Sequence, residues 1–310
     1  MPAAERPDLS VQLGPLSLRN PVMTASGTFG FGAEWEGIYD VGRLGAIMVK
    51  AVTVQPRQGN PMPRTAETAS GMLNSIGLQN PGLHAFIAEK LPYLRRFPCA
   101  VIVNIAADRE EDFRTLAERL DEAPGVSALE VNISCPNQAH GGIEFGTRPD
   151  LTQQVIASVR ASTRLPVIAK LSPNVTDITE IARAAVDGGA DIISLVNTFV
   201  GAAIDPRTRS FRLARGRGGL SGPCIKPLAL YMVWRVAQAV RAPVIGMGGI
   251  ATASDALEFL LAGASAVAVG TANFVNPMAA MEILDGIEAY LVEQGERRVA
   301  DIVGTVRGPV

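Results

Sequence analysis

The sequence predicts an α/β fold, a TIM-type (β/α)8 barrel with a short N-terminal β-hairpin and long active-site loops. Three observations predict it. Eight short apolar runs recur along the 310 residues, separated by longer amphipathic segments. The alternation is strict, which implies a parallel sheet, and eight units can close into a barrel where a doubly wound open sheet usually has fewer strands. No linker or shift of composition divides the chain, so residues 1–310 read as one domain, as α/β barrels of this size commonly do. A hydrophobic share of 47% against 19% charged suits a buried parallel sheet wrapped in helices.

The elements follow in order. Residues 9–18 form a hairpin turning at Gly14-Pro15. The strands are 22–25, 46–50, 100–104, 128–132, 167–170, 192–196, 244–246 and 266–269. Helical patterns cover 110–123, 151–163, 177–186, 226–240 and 253–262, with Asp150, Thr176 and Thr252 placed as N-caps. Gly188-Gly189-Ala190 before Ile192 and Gly263-Ala264 before Ala266 repeat one device, a glycine ending a helix just ahead of a strand. Two segments exceed ordinary connections, 52–81 and 197–223, and each follows a strand's carboxyl end, so they read as lids or binding loops.

Composition excludes several classes of function. A formal charge of -2, with no Lys/Arg run along a helix, lacks the footprint of a nucleic-acid binder. Cys99, Cys135 and Cys224 are odd in number and show no C-x-x-C spacing, which argues against a disulfide framework, zinc or an iron–sulfur cluster and points to a reducing, cytoplasmic setting. The first seven residues contain no apolar signal core. The longest apolar stretch, 259–275, is interrupted by Gly263, Ser265, Gly270 and Asn273, so it reads as helix end, turn and strand rather than a membrane span. His84 and His140 are the only histidines, and no candidate strand ends in Asp, Glu or His, so metal, triad and carboxylate-dyad chemistries find little material. The carboxylates read as solvated helix faces.

What the strands do end in is informative. Lys50, Asn104, Asn132, Lys170 and Asn197 close runs otherwise made of Val, Ile, Ala and Leu. One such residue alone is a strand end meeting water. Five together, on the face where barrel enzymes place their active sites, point to a convergent site for an anion. Gly246-Met-Gly-Gly-Ile-Ala251 matches the dinucleotide fingerprint G-x-G-x-x-A, but no acidic residue follows near 266–270. Beside Gly270-Thr271 after the eighth strand, the same glycines read as a mononucleotide phosphate cup. Cys99 and Cys224 read as small buried hydrophobes. Cys135, in Asn132-Ile-Ser-Cys-Pro-Asn137 after the fourth strand, is placed to serve as a base or nucleophile over the barrel mouth.

These motifs resemble the class 1 dihydroorotate dehydrogenases, most closely the class 1B, NAD-linked, FMN-containing catalytic subunit. The resemblance spans nearly the whole chain. It rests on Asn20-Pro-Val-Met-Thr-Ala-Ser-Gly-Thr-Phe-Gly30, Lys50-Ala-Val-Thr with Gly59-Asn-Pro-Met-Pro-Arg64, Asn74-Ser-Ile-Gly-Leu-Gln-Asn-Pro81, the Cys135 motif, Lys170-Leu-Ser-Pro-Asn174, Gly218-Gly-Leu-Ser-Gly222, Gly246-Met-Gly-Gly249 and Gly270-Thr-Ala-Asn-Phe274. The resemblance implies FMN contacts at Ser26, Lys50, Ala51, Asn104, Asn132 and Lys170, and at Val196, Gly222, Gly248, Gly249, Gly270 and Thr271. It implies substrate contacts at Lys50, Asn74, Ser75, Ile76, Gly77, Leu78, Asn132, Asn197 and Thr198. Cys135 is the implied base, taking a proton from C5 of dihydroorotate while hydride leaves C6 for FMN, with Lys170 beside the flavin.

Class 1B relatives pass electrons to a separate subunit carrying FAD and [2Fe-2S], which reduces NAD. The resemblance therefore implies that partner, in a heterotetramer built on a homodimer of this chain, and implies no nucleic-acid or membrane partner. Three other readings stay open. A class 1A enzyme using fumarate is the nearest, although Asn74-Ser-Ile-Gly-Leu-Gln-Asn80 favours 1B. A dihydropyrimidine dehydrogenase-like subunit would take substrates without a carboxylate. A non-redox phosphate-ligand-binding barrel would be colourless. Two departures from the family pattern stand out: Ala106-Ala-Asp-Arg109 in place of a glycine-containing turn, and the basic stretch 212–217, read as tuning a mobile loop or a partner surface.

Overall fold

Residues 6–134, 136–137 and 143–308 are described by the computed structural model. The barrel strands form where aliphatic and β-branched residues predominate. They are β1 (Val22–Thr24), β2 (Ala46–Val52), β3 (Ala100–Ile105), β4 (Ala128–Asn132), β5 (Val167–Lys170), β6 (Ile192–Leu195), β7 (Val244–Met247) and β8 (Ala266–Val269). Each pairs in parallel with the next, and β8 pairs with β1, so the sheet closes into a barrel with strands in chain order. Burial is nearly continuous along every strand, as parallel strands covered by helices require.

Helices supply the outer layer. Glu110–Asp121 buries Phe113, Leu116, Ala117 and Leu120, an i, i+3, i+4, i+7 stripe that faces the sheet, while Glu110, Glu111 and Asp112 sit in the first turn. Ala253–Leu261 starts as expected at Thr252, which forms a reciprocal capping box with Asp255. The other two caps are shifted by local chemistry. Asp177, not Thr176, caps Ile178–Asp187, because its carboxylate accepts from the Thr179 N–H at 2.9 Å. Pro149 opens Pro149–Ala161 with Arg148 before it, so Asp150 falls inside the first turn, where it pairs with Arg148. The hairpin is Val11–Leu13 with Leu16–Leu18, turning at Gly14. No helix among the described residues is long and apolar enough to cross a membrane.

The two long segments after β2 and β6 are not independent loops. Strands Thr65–Thr68 and Gly71–Asn74 from the first join Phe199–Gly201 and Gly218–Ser221 from the second in one four-stranded antiparallel sheet. Glycine makes the approach possible. A Cβ on Gly71 would lie 2.2 Å from the Ser221 carbonyl oxygen, and one on Gly219 would lie 2.0 Å from the Thr198 hydroxyl.

Candidate active site

A cleft of about 960 Å³ opens at the carboxyl ends of the barrel strands, beneath that sheet. β2 reaches it through a bulge: Val49 lies opposite Val103 and Val52 opposite Ile105, so Lys50 and Ala51 share the place facing Asn104. A bulge re-aims side chains beside an active site, and here both residues line the cleft. Ser26 begins the short helix after β1, Asn104 and Asn132 lie at the ends of β3 and β4, Lys170 ends β5, and Val196, Asn197 and Thr198 follow β6. The Asn197 side-chain N–H donates to the Asn132 side-chain oxygen at 3.2 Å, joining two strand ends across β5.

The sheet brings in the rest. Asn74 donates to the Gly219 carbonyl at 3.2 Å, and the turn from Ser75 to Leu78 is stapled by Asn60, whose amide donates to the Ser75 carbonyl at 3.0 Å while its backbone N–H donates to Ile76 at 2.9 Å. Gly77 and Leu78 both adopt positive φ there, so the backbone bends sharply at the cleft wall. Gly222, Gly248, Gly249, Gly270 and Thr271 meet at the opposite end. At Gly249 there is no room for a side chain: a Cβ would lie 2.8 Å from the Lys226 backbone nitrogen and 2.9 Å from the Gly222 carbonyl oxygen. Gly249→Ala, at φ 78°, is therefore expected to destabilise the protein by about 1–3 kcal/mol. Thermal denaturation checks this; an unchanged melting temperature would count against the cup geometry.

All the predicted site residues except one line this single cleft. The exception, Cys135, lies outside the described residues, as does His140. Its chain neighbour Ser134 does line the cleft, with a buried hydroxyl that has no hydrogen-bond partner among the described residues. Residues that sequence reasoning passed over also face inward. Asn60 stood in a quoted motif without a role, as did Ser221, which accepts from the Thr271 hydroxyl at 2.7 Å. Arg215 and Arg217, from the basic stretch expected to tune a loop or a partner surface, also line the cleft.

A sequence model of the dihydroorotate dehydrogenase family matches residues 8–291. The chain belongs to the dihydroorotate dehydrogenase family. It is 56% identical over 301 residues to the dihydroorotate dehydrogenase B (NAD(+)), catalytic subunit, of Geotalea uraniireducens, covering 97% of this chain and 99% of that protein. The protein of the same name from Desulforudis audaxviator is 56% identical over 295 residues, covering 95% and 96%. In fold, the chain is similar to the crystal structure of DHODH in complex with ferulenol from Eimeria tenella, with a TM-score of 0.78 over 98% of this chain and 90% of that one, at 24% identity.

Within this family member, the electrostatics of the cleft favour an anion. Lys50, Lys170, Arg57, Arg215 and Arg217 line it, against one carboxylate among the described lining residues, Asp108, which pairs with Arg57 at 2.9 Å. Burial, aided by the Arg64 cation, pushes Lys50 below the usual lysine range, with Glu34 working in the opposite sense. Directly below the cleft lies a carboxylate that the sequence reading had placed among solvated helix faces. Glu130 is fully buried in β4, and its carboxylate accepts from Asn104 at 2.5 Å and from the Ser194 hydroxyl at 2.8 Å, with the Lys170 ammonium 3.7 Å away. A charge inside an apolar strand run was its one visible signal. No group of three or more His, Cys, Asp and Glu that could hold a metal occurs among the described residues.

Proposed function

We propose that this chain is the FMN-carrying catalytic subunit of a dihydroorotate dehydrogenase, oxidising (S)-dihydroorotate to orotate in de novo pyrimidine biosynthesis, with residues 1–310 acting as one domain. The observation that carries the reading is the convergence in one cleft of two lysines, the strand-end asparagines and a glycine cup. FMN fits the polar atoms this cleft leaves open. Asn104 gives its N–H to Glu130, so its buried carbonyl oxygen, which has no donor among the described residues, would accept a ring N–H. Lys170, 6% exposed and donating to Ser26 at 3.3 Å, offers a cation to a ring that carries negative charge. Gly222, Gly248, Gly249, Gly270 and Thr271 would hold the phosphate, which needs backbone N–H groups at close approach. Ser26, Lys50, Ala51, Asn104, Asn132, Lys170 and Val196 would surround the ring. When bound, FMN supplies the hydride acceptor.

The chain's own residues do the remaining work. Lys50, with Asn74, Asn132 and Asn197, binds the substrate carboxylate and imide through charge-assisted and neutral hydrogen bonds, and Ser75, Ile76, Gly77, Leu78 and Thr198 close around it. Cys135 holds the base position and takes the C5 proton. The names of the relatives support NAD as the final acceptor. Electrons would then leave through a partner subunit carrying FAD and [2Fe-2S], in a heterotetramer built on a homodimer of this chain in the cytoplasm. The test is direct. The purified chain should be yellow, lose that colour when dihydroorotate is added without oxygen, and turn over with a dye but not with NAD until a flavin and iron–sulfur partner is supplied. A colourless protein that takes up no FMN would overturn the reading, and fumarate-dependent turnover by the isolated chain would reassign its acceptor.

A further inference from the structure

We propose that Glu130 is a positioning residue for the cofactor ring, setting from beneath both the orientation of Asn104 and the net charge felt at Lys170. The inference rests on the FMN reading above. Glu130 touches the cleft nowhere; it acts through the two residues that do line it. Its place follows from register. Glu130 pairs with Asn104 on β3 and Ile168 on β5, one layer below Asn132 and Lys170, so its side chain shares the barrel interior with the strand-end residues.

Two consequences follow from its chemistry. An ionised carboxylate only accepts hydrogen bonds, so Oε2 at 2.5 Å obliges Asn104 to present its N–H downward and its carbonyl oxygen to the cleft. That oxygen is buried and has no hydrogen-bond partner among the described residues, which suits a cofactor N–H. Ser194, itself fully buried, donates to Oε1 at 2.8 Å and fixes the carboxylate plane. The second consequence is electrostatic. The Glu130 charge lies 3.7 Å from the Lys170 ammonium with both side chains almost wholly out of solvent, so it offsets part of the positive charge that Lys170 presents to the cleft. Glu130 therefore restrains how far Lys170 favours an anionic, reduced ring over a neutral, oxidised one.

Glu130→Gln separates this role from simple packing, because it keeps the shape, removes the charge and lets the side-chain amide donate to Asn104. Oxidised FMN should bind about fivefold more weakly, as expected for one lost hydrogen bond. Reduced FMN should gain about tenfold relative to oxidised FMN, which raises the two-electron midpoint potential by about 30 mV. Glu130→Asp, retaining the charge, should stay nearer the wild-type potential than Glu130→Gln does. The measurements are FMN titration of the apoprotein and spectroelectrochemical potentials of the loaded one. Wild-type protein that takes up no FMN would sink the cofactor reading itself. Wild-type protein that binds FMN, with Glu130→Gln unchanged in affinity and potential, would overturn the Glu130 role alone, and so would a lowered potential. If circular dichroism shows that Glu130→Gln does not fold, Ser194→Ala carries the test, since it loosens the carboxylate without removing charge: FMN binding about threefold weaker or more is expected, and unchanged affinity overturns the proposal.

Discussion

Cys135→Ala should leave a protein that still carries FMN but reduces it with dihydroorotate about 10²–10⁴-fold more slowly, the range over which a positioned general base acts. The C5 proton of dihydroorotate is not acidic enough to leave unaided at neutral pH, so removing the base stalls the reaction even when the ring is correctly placed. The described residues on the near side of position 135 support that placement. Asn132 and Ser134 both line the cleft, and Asn132 accepts from the Ser134 N–H at 3.3 Å. FMN content should not change, because the cup and the Asn104–Lys170 edge lie on other strands. Stopped-flow reduction of bound FMN is the decisive measurement. A rate within threefold of wild type would remove Cys135 from the base position, and Ser134, whose buried hydroxyl has no partner among the described residues, would become the residue to test.

Lys50→Ala should have the second largest effect, about 2–5 kcal/mol, the cost of truncating one member of a desolvated charge pair. At about 1.4 kcal/mol per tenfold, kcat/KM for dihydroorotate falls about 30- to 5,000-fold. The bulge is what makes Lys50 costly to lose, since it turns a partly desolvated cation into the cleft. A pH dependence goes with it. Burial first, and Arg64 second, lower the Lys50 pKa. The protonated form binds the substrate carboxylate, so KM should be lowest below that pKa and rise as pH climbs through it, earlier than an ordinary lysine near pH 10.4 would dictate. Lys50→Arg, which stays charged, should lose that limb of the KM–pH profile. Fumarate or dye as acceptor makes no difference to this expectation. A KM for Lys50→Ala within threefold of wild type would show that the carboxylate is held elsewhere, and Arg215 and Arg217, which also line the cleft, would be tested next.

The barrel was legible because its signals are local. Apolar runs of three to seven residues, glycines at helix ends and the Thr252–Asp255 cap act within a few positions of one another. The polar strand ends were equally plain, since Lys50, Asn104, Asn132 and Lys170 break apolar runs at the same relative place. Glu130 escaped because it breaks its run in the middle: alternation alone assigns it to a face, and only barrel closure makes that face an interior shared with Asn104, Ser194 and Lys170. The sheet over the cleft escaped for a related reason. Its strands come from segments about 150 positions apart, are three or four residues long, and two of them are rich in glycine, so no periodicity marks them before they pair.

Patterning of apolar residues with period and turn chemistry thus decided the α/β class, the eight strands and the residues that cap them, because burial of aliphatic side chains dominates the energetics of each segment on its own. Tertiary closure decided which of those residues meet. It set the bulge that aims Lys50, the cap that joins the two long loops, the arginines on the cleft wall, and the buried carboxylate under Lys170. Each of these depends on a partner far away in the chain, and a charge or an amide acquires its role only when folding has removed water from around it and put that partner within a few ångströms.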